Sequence, residues 1–285
     1  MLEINKVSVL GAGVLGTQIA FQTAYSGLPV VVYDVSDEAL AKSEAHMTEL
    51  AQLYKQDGVV GADDGRTDAA FTRLSFTTDL AGAASEADLV IEAVPELLDV
   101  KRRLYTDLAK AAPGHTIFAT NSSTLLPSDL KEFTGRPDRF LAIHYANLIW
   151  KRNLVEIMGT ADTDPAVVAA AVSFAETTGM IPIEIKKEQA GYILNSLGVP
   201  FLFAAGKLWA SGVADPKTID RAWKIGSLAP QGPFEALDII GLTTTYNIAS
   251  NSEDPGVREF AAALKEQYID EGKLGTMTGE GFYKY

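Results

Sequence analysis

His144 closes the apolar run Arg139-Phe140-Leu141-Ala142-Ile143, and Glu156 lies in a second one, Leu154-Val155-Glu156-Ile157. An imidazole with a carboxylate neighbour is the pair that oxidation of an alcohol asks for. A proton must leave oxygen as a hydride leaves carbon, and a histidine side chain exchanges protons near working pH. A carboxylate on the second ring nitrogen fixes the tautomer and stabilises the imidazolium that forms. General-base assistance of this kind contributes about 10² to 10⁴ in rate. Ser123 and Asn195 carry a hydroxyl and an amide able to hold the substrate oxygen. The imidazole and carboxylate become neighbours if their two segments pair antiparallel, with residues 145 to 153 as the connection. Taken singly, each residue also has a plainer role. His144 can be a structural histidine at a strand end, Glu156 can pair with Lys151 or Arg152, Ser123 can cap a helix begun by Leu125-Leu126-Pro127, and Asn195 can cap or bridge helices. His46 reads as solvated helix surface and His115 as a turn residue.

A hydride also needs an acceptor, and residues 6 to 24 suggest one. The run Val7-Ser8-Val9-Leu10 breaks into Gly11-Ala12-Gly13-Val14-Leu15-Gly16 and resumes with helical spacing through Thr17-Gln18-Ile19-Ala20-Phe21. In such a strand-turn-helix unit, the first glycine allows the tight bend and the second lets backbone approach a pyrophosphate. The third brings helix close to strand. The N–H groups that open the helix, at Val14 and Leu15, then face the phosphates. A second strand, Val30 to Tyr33, ends in Asp34, at about the separation where an acid meets the adenosine ribose. That carboxylate would repel a 2′-phosphate, and neither Val35 nor Ser36 supplies an arginine to hold one. NAD is therefore favoured over NADP. The alternatives are a purely structural bend and a turn residue that caps the next helix.

These groups need a scaffold to hold them. Ser36 to Tyr54 reads as a long amphipathic helix capped by Ser36, and Lys55 to Thr72 as an irregular acidic excursion with Gly58, Gly61 and Gly65. Short strands follow at Leu74 to Thr77, within Ala87 to Ala93, and at Thr116 to Thr120. A helix from about Leu97 to Ala111 separates the last two, and another from about Pro165 to Thr178 precedes the strand Ile181 to Ile185. Strands and helices alternating in units this short predict an α/β fold, a mostly parallel Rossmann-type sheet covered on both faces. The glycine loop, Asp34, Ser123 and His144 each follow a strand, so all four would fall along the carboxyl edge where such sheets bind ligands. Beyond Ala190 the pattern becomes wholly helical. The expected domains are therefore 1–185, dinucleotide-binding, and 186–285, helical.

With 285 residues and 47% hydrophobic content, the chain can bury a sizeable core. It has no cysteine, which excludes disulfides, thiolate metal sites and cysteine nucleophiles, and no metal site is expected. A net charge of −13 argues against nucleic acid as a partner. No apolar run approaches the roughly 20 residues needed to cross a bilayer, so no membrane partner is expected. The first strand begins too early for a signal peptide, which makes a cytoplasmic location the expectation.

Seven stretches together resemble the short-chain L-3-hydroxyacyl-CoA dehydrogenase family, which includes 3-hydroxybutyryl-CoA dehydrogenases, over essentially the whole length. They are Val9 to Gly16, Val90 to Glu96, Asn121 to Leu125, His144 through Glu156, Gly191 to Asn195, Gly232 to Glu235 and Gly279 to Tyr283. The resemblance implies NAD as cofactor, oxidation of a 3-hydroxyacyl-CoA at C3, a place in fatty-acid metabolism, and a homodimer formed through the C-terminal helices. It implies His144 as general acid/base, Glu156 as its partner, and Ser123 and Asn195 as contacts of the substrate oxygen. Glu96, Lys101 and Asn147 match cofactor-contacting positions, and Ser123 is a shared contact. Several positions depart from the pattern. Tyr145-Ala146-Asn147-Leu148 stands where Phe-Phe-Asn-Pro is usual, Ser196 replaces an arginine, and Thr276 and Met277 stand where basic residues are usual. The family's lysine-rich CoA-holding arm corresponds to the acidic stretch from Asp57 to Asp68, with only Lys55 and Arg66 nearby. A relative acting on a small β-hydroxy acid without CoA, as carnitine and gulonate dehydrogenases of the superfamily do, would suit that charge. A non-catalytic dinucleotide-binding or structural protein of the same fold would have no need of Ser123, His144, Glu156 and Asn195 together.

Overall fold

A computed structural model describes residues 2–285 and divides the chain into two compact units, one ending at Ile193 and the other running from Leu194 to Tyr285. Eight strands build the first unit: β1 (Val7–Leu10), β2 (Val30–Tyr33), β3 (Leu74–Thr77), β4 (Leu89–Glu92), β5 (Ile117–Thr120), β6 (Phe140–Tyr145), β7 (Leu154–Gly159) and β8 (Ile181–Ile185). They form one sheet in the order β3-β2-β1-β4-β5-β6-β7-β8. The pairs from β3 to β6 are parallel, β6 and β7 are antiparallel, and β8 runs parallel to β7. Every residue of β1, β4, β5 and β6 is buried, which is why these strands read as mainly apolar, broken only by Ser8, Glu92, Thr120 and His144.

Six helices pack on this sheet: α1 (Val14–Tyr25), α2 (Asp37–Gln56), α3 (Thr67–Phe71), α4 (Leu80–Ala84), α5 (Leu98–Ala111) and α6 (Pro165–Thr177). Two apolar clusters mark its two faces. One gathers Ile19, Phe21, Met47, Tyr54 and Phe174, the other Tyr105, Leu108, Phe118 and Phe140. Ser36 caps α2 by accepting the Ala39 N–H, which starts the helix at the expected place.

The segment expected to be irregular after residue 55 is largely helical. A wide turn over Ala62–Arg66 runs into α3, while Gly58, Gly61 and Gly65 take positive φ and reverse the chain. Burial of Ala62, Thr67 and Ala70 holds these turns against the domain. The helix expected from Leu125 is replaced by short 3₁₀ turns at Pro127–Asp129 and Lys131–Thr134. β6 continues past the expected end of its apolar run, so His144 lies within the strand.

Five helices make up the second unit: α7 (Leu194–Ala210), α8 (Pro216–Ser227), α9 (Pro233–Ile240), α10 (Leu242–Ala249) and α11 (Pro255–Leu264). Phe234, Leu237, Phe260 and Leu264 form its core, with Trp209 edge-on to both phenylalanines and to Phe282. Residues 186–193 fall with the first unit, because their backbone and side chains bond to the loop after β5 and to β7. The division between units therefore lies beyond the end of β8.

Candidate active site

Along the carboxyl edge of the sheet, the chain leaves β1 through Gly11 at φ +107° and enters α1 at Val14. A Cβ on Gly16 would sit 1.9 Å from the Gly11 carbonyl oxygen, and one on Gly11 would sit 2.6 Å from that of Ala93. Both glycines are thus required by packing. A Cβ on Gly13 would meet nothing within 4 Å. That opening lies at the N-cap of α1, where no side chain caps the helix. Uncapped amide groups beside open space suit a pyrophosphate. Asp34, at the end of β2, accepts the Ala12 N–H at 2.8 Å, which ties its carboxylate to the glycine loop. Val14 is exposed and Leu15 half-buried.

These contrasts predict different outcomes for two alanine substitutions. Gly16→Ala should lower stability by about 1–3 kcal/mol in urea denaturation, as overpacking does. Gly13→Ala should leave the unfolding midpoint in place while weakening NADH binding, measured by fluorescence titration. Equal stability losses at both positions would contradict the assignment of the opening to the cofactor.

The antiparallel pairing of β6 with β7 sets His144 directly opposite Glu156. His144 Nδ1 lies 3.0 Å from Glu156 Oε2, with the two side chains 5% and 2% exposed. A carboxylate only accepts, so the imidazole proton sits on Nδ1 and Nε2 carries the lone pair. The Ser123 hydroxyl lies 3.0 Å from Nε2 and donates to it. The Ile193 N–H donates to Glu156 Oε1 at 2.8 Å, which fixes the carboxylate from its other side. Serine, imidazole and carboxylate form one hydrogen-bonded chain, with the basic nitrogen at the serine end.

A second network lies behind the serine. Glu96 Oε1 accepts from the Ser122 hydroxyl, from the backbone N–H groups of Ser123 and Thr124 at 3.0 and 2.9 Å, and from the Thr124 hydroxyl at 2.9 Å. Burial alone would raise the Glu96 carboxyl. The bonds from Ser122 and Thr124 and the Lys101 charge outweigh it and bring the carboxyl down to about 2. Lys101 is 1% exposed and places its ammonium 2.5 Å from Glu92 and 3.2 Å from Glu96. Glu92 is buried, which pushes its carboxyl up against the Lys101 charge and the bonds from Thr120 and the Val94 N–H. Lys101, matched by resemblance to a cofactor contact, thus reaches the site through Glu96.

Neither Glu92 nor Tyr192 was singled out from the sequence. A glutamate ending an otherwise apolar strand, nine residues before a lysine, was a readable signal for the first. Tyr192 carried no local signal. Asn147 is exposed in the connection between β6 and β7. Asn195 belongs to the second unit, in the first turn of α7, and is half-buried.

On the acidic arm, Asp57 accepts from the Trp150 indole N–H and pairs with the Lys151 ammonium, each at 2.8 Å, and these bonds lower its carboxyl. A cleft of about 750 Å³ opens there, lined by Tyr25, Asp57, Arg66, Arg73, Trp150 and Glu176 among others. Its two arginines make contacts of their own. Arg66 stacks over the Tyr25 ring at 5.5 Å, and Arg73 donates to the carbonyls of Ala24 and Ala69. Among the described residues, no cluster of histidine and acidic side chains has the makings of a metal site, and no helix is long and apolar enough to cross a membrane.

The family described as 3-hydroxyacyl-CoA dehydrogenase, NAD binding domain, matches residues 6–189, and its C-terminal domain matches residues 191–285. The chain is 37% identical to the mitochondrial hydroxyacyl-coenzyme A dehydrogenase of Sus scrofa, over 99% of this chain and 91% of that protein. It is 32% identical to a probable 3-hydroxybutyryl-CoA dehydrogenase of Bacillus subtilis, over 100% and 98% of the two chains. Among solved structures, a diketoreductase reported for dual catalysis of dicarbonyl compounds matches at a TM-score of 0.96 and 57% identity, over 100% of both chains. The (S)-3-hydroxybutyryl-CoA dehydrogenase of Ralstonia eutropha matches at 0.82 and 30%, over 99% of both.

Proposed function

The chain belongs to the 3-hydroxyacyl-CoA dehydrogenase family, as an NAD-dependent oxidoreductase, and from that premise we propose how its residues divide the work. A 3-hydroxyacyl-CoA of the 3-hydroxybutyryl type and its 3-keto form are interconverted at C3, with the alcohol proton passing to His144 Nε2. The hydrogen-bonded chain Ser123–His144–Glu156, at the sheet edge that also carries the glycine loop, is the observation that supports this most strongly. NAD, when bound, supplies the nicotinamide that takes up or returns the hydride. Gly11, Gly13, Val14, Leu15, Gly16 and Asp34 would hold its pyrophosphate and ribose side, and Glu96, Ser123 and Asn147 its nicotinamide side, with Lys101 acting through Glu96. In oxidation, Nε2 takes the hydroxyl proton while Glu156 stabilises the imidazolium. In reduction, the imidazolium returns that proton to the carbonyl oxygen. Ser123 holds the same oxygen.

The same reading includes a homodimer formed through the second unit, a cytoplasmic location and a place in fatty-acid metabolism. Large apolar side chains left exposed there, such as Leu197, Ile225 and Leu228, support the dimer. A chain without cysteine is indifferent to the redox state of its compartment.

A second reading keeps the chemistry and drops the thioester. Asp57 and its neighbours stand where the family's arm is lysine-rich, Lys151 is paired with Asp57 and Arg66 is stacked on Tyr25, and the 57% identical structure is that of a diketoreductase. A nucleotide phosphate needs charge-assisted partners. The deciding assay follows NADH absorbance with acetoacetyl-CoA, then with free β-keto acids, β-diketo esters and dehydrocarnitine. Turnover of acetoacetyl-CoA with the higher kcat/KM is the expected result. Turnover of only the CoA-free compounds would overturn the thioester, and no turnover of any would overturn C3 redox chemistry itself.

A further inference from the structure

Tyr192 occupies a position that neither hydride transfer nor proton transfer accounts for. Its ring lies parallel to the His144 imidazole, centroids 4.2 Å apart and planes 8° apart, and both rings are buried. Its hydroxyl donates to the Ser122 carbonyl at 2.8 Å, one residue before the hydroxyl that bonds to Nε2. On either side of it, the Gly191 N–H donates to the Ser123 carbonyl at 3.2 Å and the Ile193 N–H donates to Glu156 at 2.8 Å. Three consecutive residues thus touch every member of the Ser123–His144–Glu156 chain.

The backbone at Tyr192 is not one a tyrosine adopts freely. Its φ is +54°, in the left-handed region that a Cβ disfavours. Residues with side chains persist there when their surroundings over-determine them, and such positions cluster at functional sites. Burial, reinforced by the charges of Glu96 and Glu156, raises the phenol, so it stays a neutral donor.

Hydrogen bonds at Nδ1 and Nε2 fix the imidazole in its own plane but leave it able to tip about the line joining them. A flat ring stacked on one face removes that freedom. The same ring presents its electron-rich face to the imidazolium when Nε2 is protonated, an interaction the neutral imidazole lacks. We propose that Tyr192 is a positioning residue, its ring holding the imidazole against tilt and its hydroxyl holding the Ser122–Ser123 peptide, so that Nε2 and the serine hydroxyl stay aimed at one oxygen. The inference rests on His144 as the acid/base of the proposed reaction.

Three variants and two readouts test it. Tyr192→Leu removes the ring and the hydroxyl, Tyr192→Phe removes the hydroxyl alone, and Tyr192→Asn removes the ring while tolerating positive φ. Leu and Asn should lower kcat by about 10- to 100-fold, as misaligned catalytic groups do, with KM for NADH essentially unchanged. Phe should restore most of the lost kcat. In NMR spectra of the free enzyme, the His144 ring protons should be shifted upfield by the tyrosine ring current in wild type and Phe, and move downfield in Leu and Asn. Wild-type kcat in Tyr192→Asn, or ring-proton shifts indifferent to the ring, would overturn the proposal. A wild-type enzyme inactive on every 3-keto compound would instead overturn the reaction, and the NMR comparison would still decide the stacking.

Discussion

His144→Ala should lower kcat by about 10² to 10⁴ while leaving NADH affinity essentially unchanged, because general acid–base assistance contributes about that much. The imidazole is the middle member of a hydrogen-bonded chain, between Glu156 at 3.0 Å and the Ser123 hydroxyl at 3.0 Å, so that Nδ1 is taken by the carboxylate and Nε2 is the nitrogen left for proton exchange in the proposed reaction. The dinucleotide loop belongs to β1 and α1, which the substitution does not touch. Steady-state kinetics in both directions, with NADH binding followed by fluorescence, separate the two effects. Glu156→Gln should produce a smaller loss, since an amide can still accept from Nδ1 but cannot stabilise the imidazolium by charge. Unchanged turnover in His144→Ala would remove the base from the mechanism, and loss of NADH binding with turnover would point to a structural histidine.

Lys101→Met should be the most destabilising single change on the dinucleotide side, costing about 3–5 kcal/mol in urea unfolding. Glu92 lies wholly buried at the end of β4, and removing its ammonium partner leaves an acid enclosed with only neutral donors. Replacing both members, as Glu92→Leu with Lys101→Met, should recover part of that loss, because the uncompensated charge goes while the Thr120 hydroxyl and the Val94 N–H lose their acceptor. A double variant no more stable than the single one would mean that the pair does not act as a unit. Lys101 also supports Glu96, whose carboxyl is held down to about 2. A carboxyl lowered on folding stabilises the folded state above the ordinary glutamate range, and that stability is lost as pH falls through the folded value. The Glu96 contribution should therefore be complete near neutrality and fade between about pH 4.5 and pH 2, and Glu96→Gln should flatten the pH dependence of the urea midpoint in that window.

The dinucleotide half was legible because it is local. A strand, a glycine turn, a helix and an acid closing the next strand lie within one short stretch, although the contact that requires Gly11, with the Ala93 carbonyl, is made only by the fold. The His144–Glu156 pair was legible conditionally, since two apolar runs with a short connection invite antiparallel pairing and the register then sets the two side chains opposite each other. Local pattern failed at the acidic arm. Gly58, Gly61 and Gly65 read as breakers, whereas in the fold they permit reversals between helical turns held by buried Ala62, Thr67 and Ala70.

Residue types and their local order thus determined on their own a parallel sheet with a dinucleotide turn, an acid suited to a ribose, and a base awaiting a carboxylate. The folded chain alone decided what surrounds that imidazole: Glu96 reaching the serine loop from 26 residues away, Lys101 paired with Glu96 and with buried Glu92, and Tyr192 laid flat on the ring with its hydroxyl on a carbonyl 70 residues earlier. Periodicity records which face of an element is covered, and it does so through neighbours a few residues apart. Hydrogen bonds to a buried carboxylate, or a ring stacked on another, depend on where distant strands and loops are brought together, and no local pattern carries that distance.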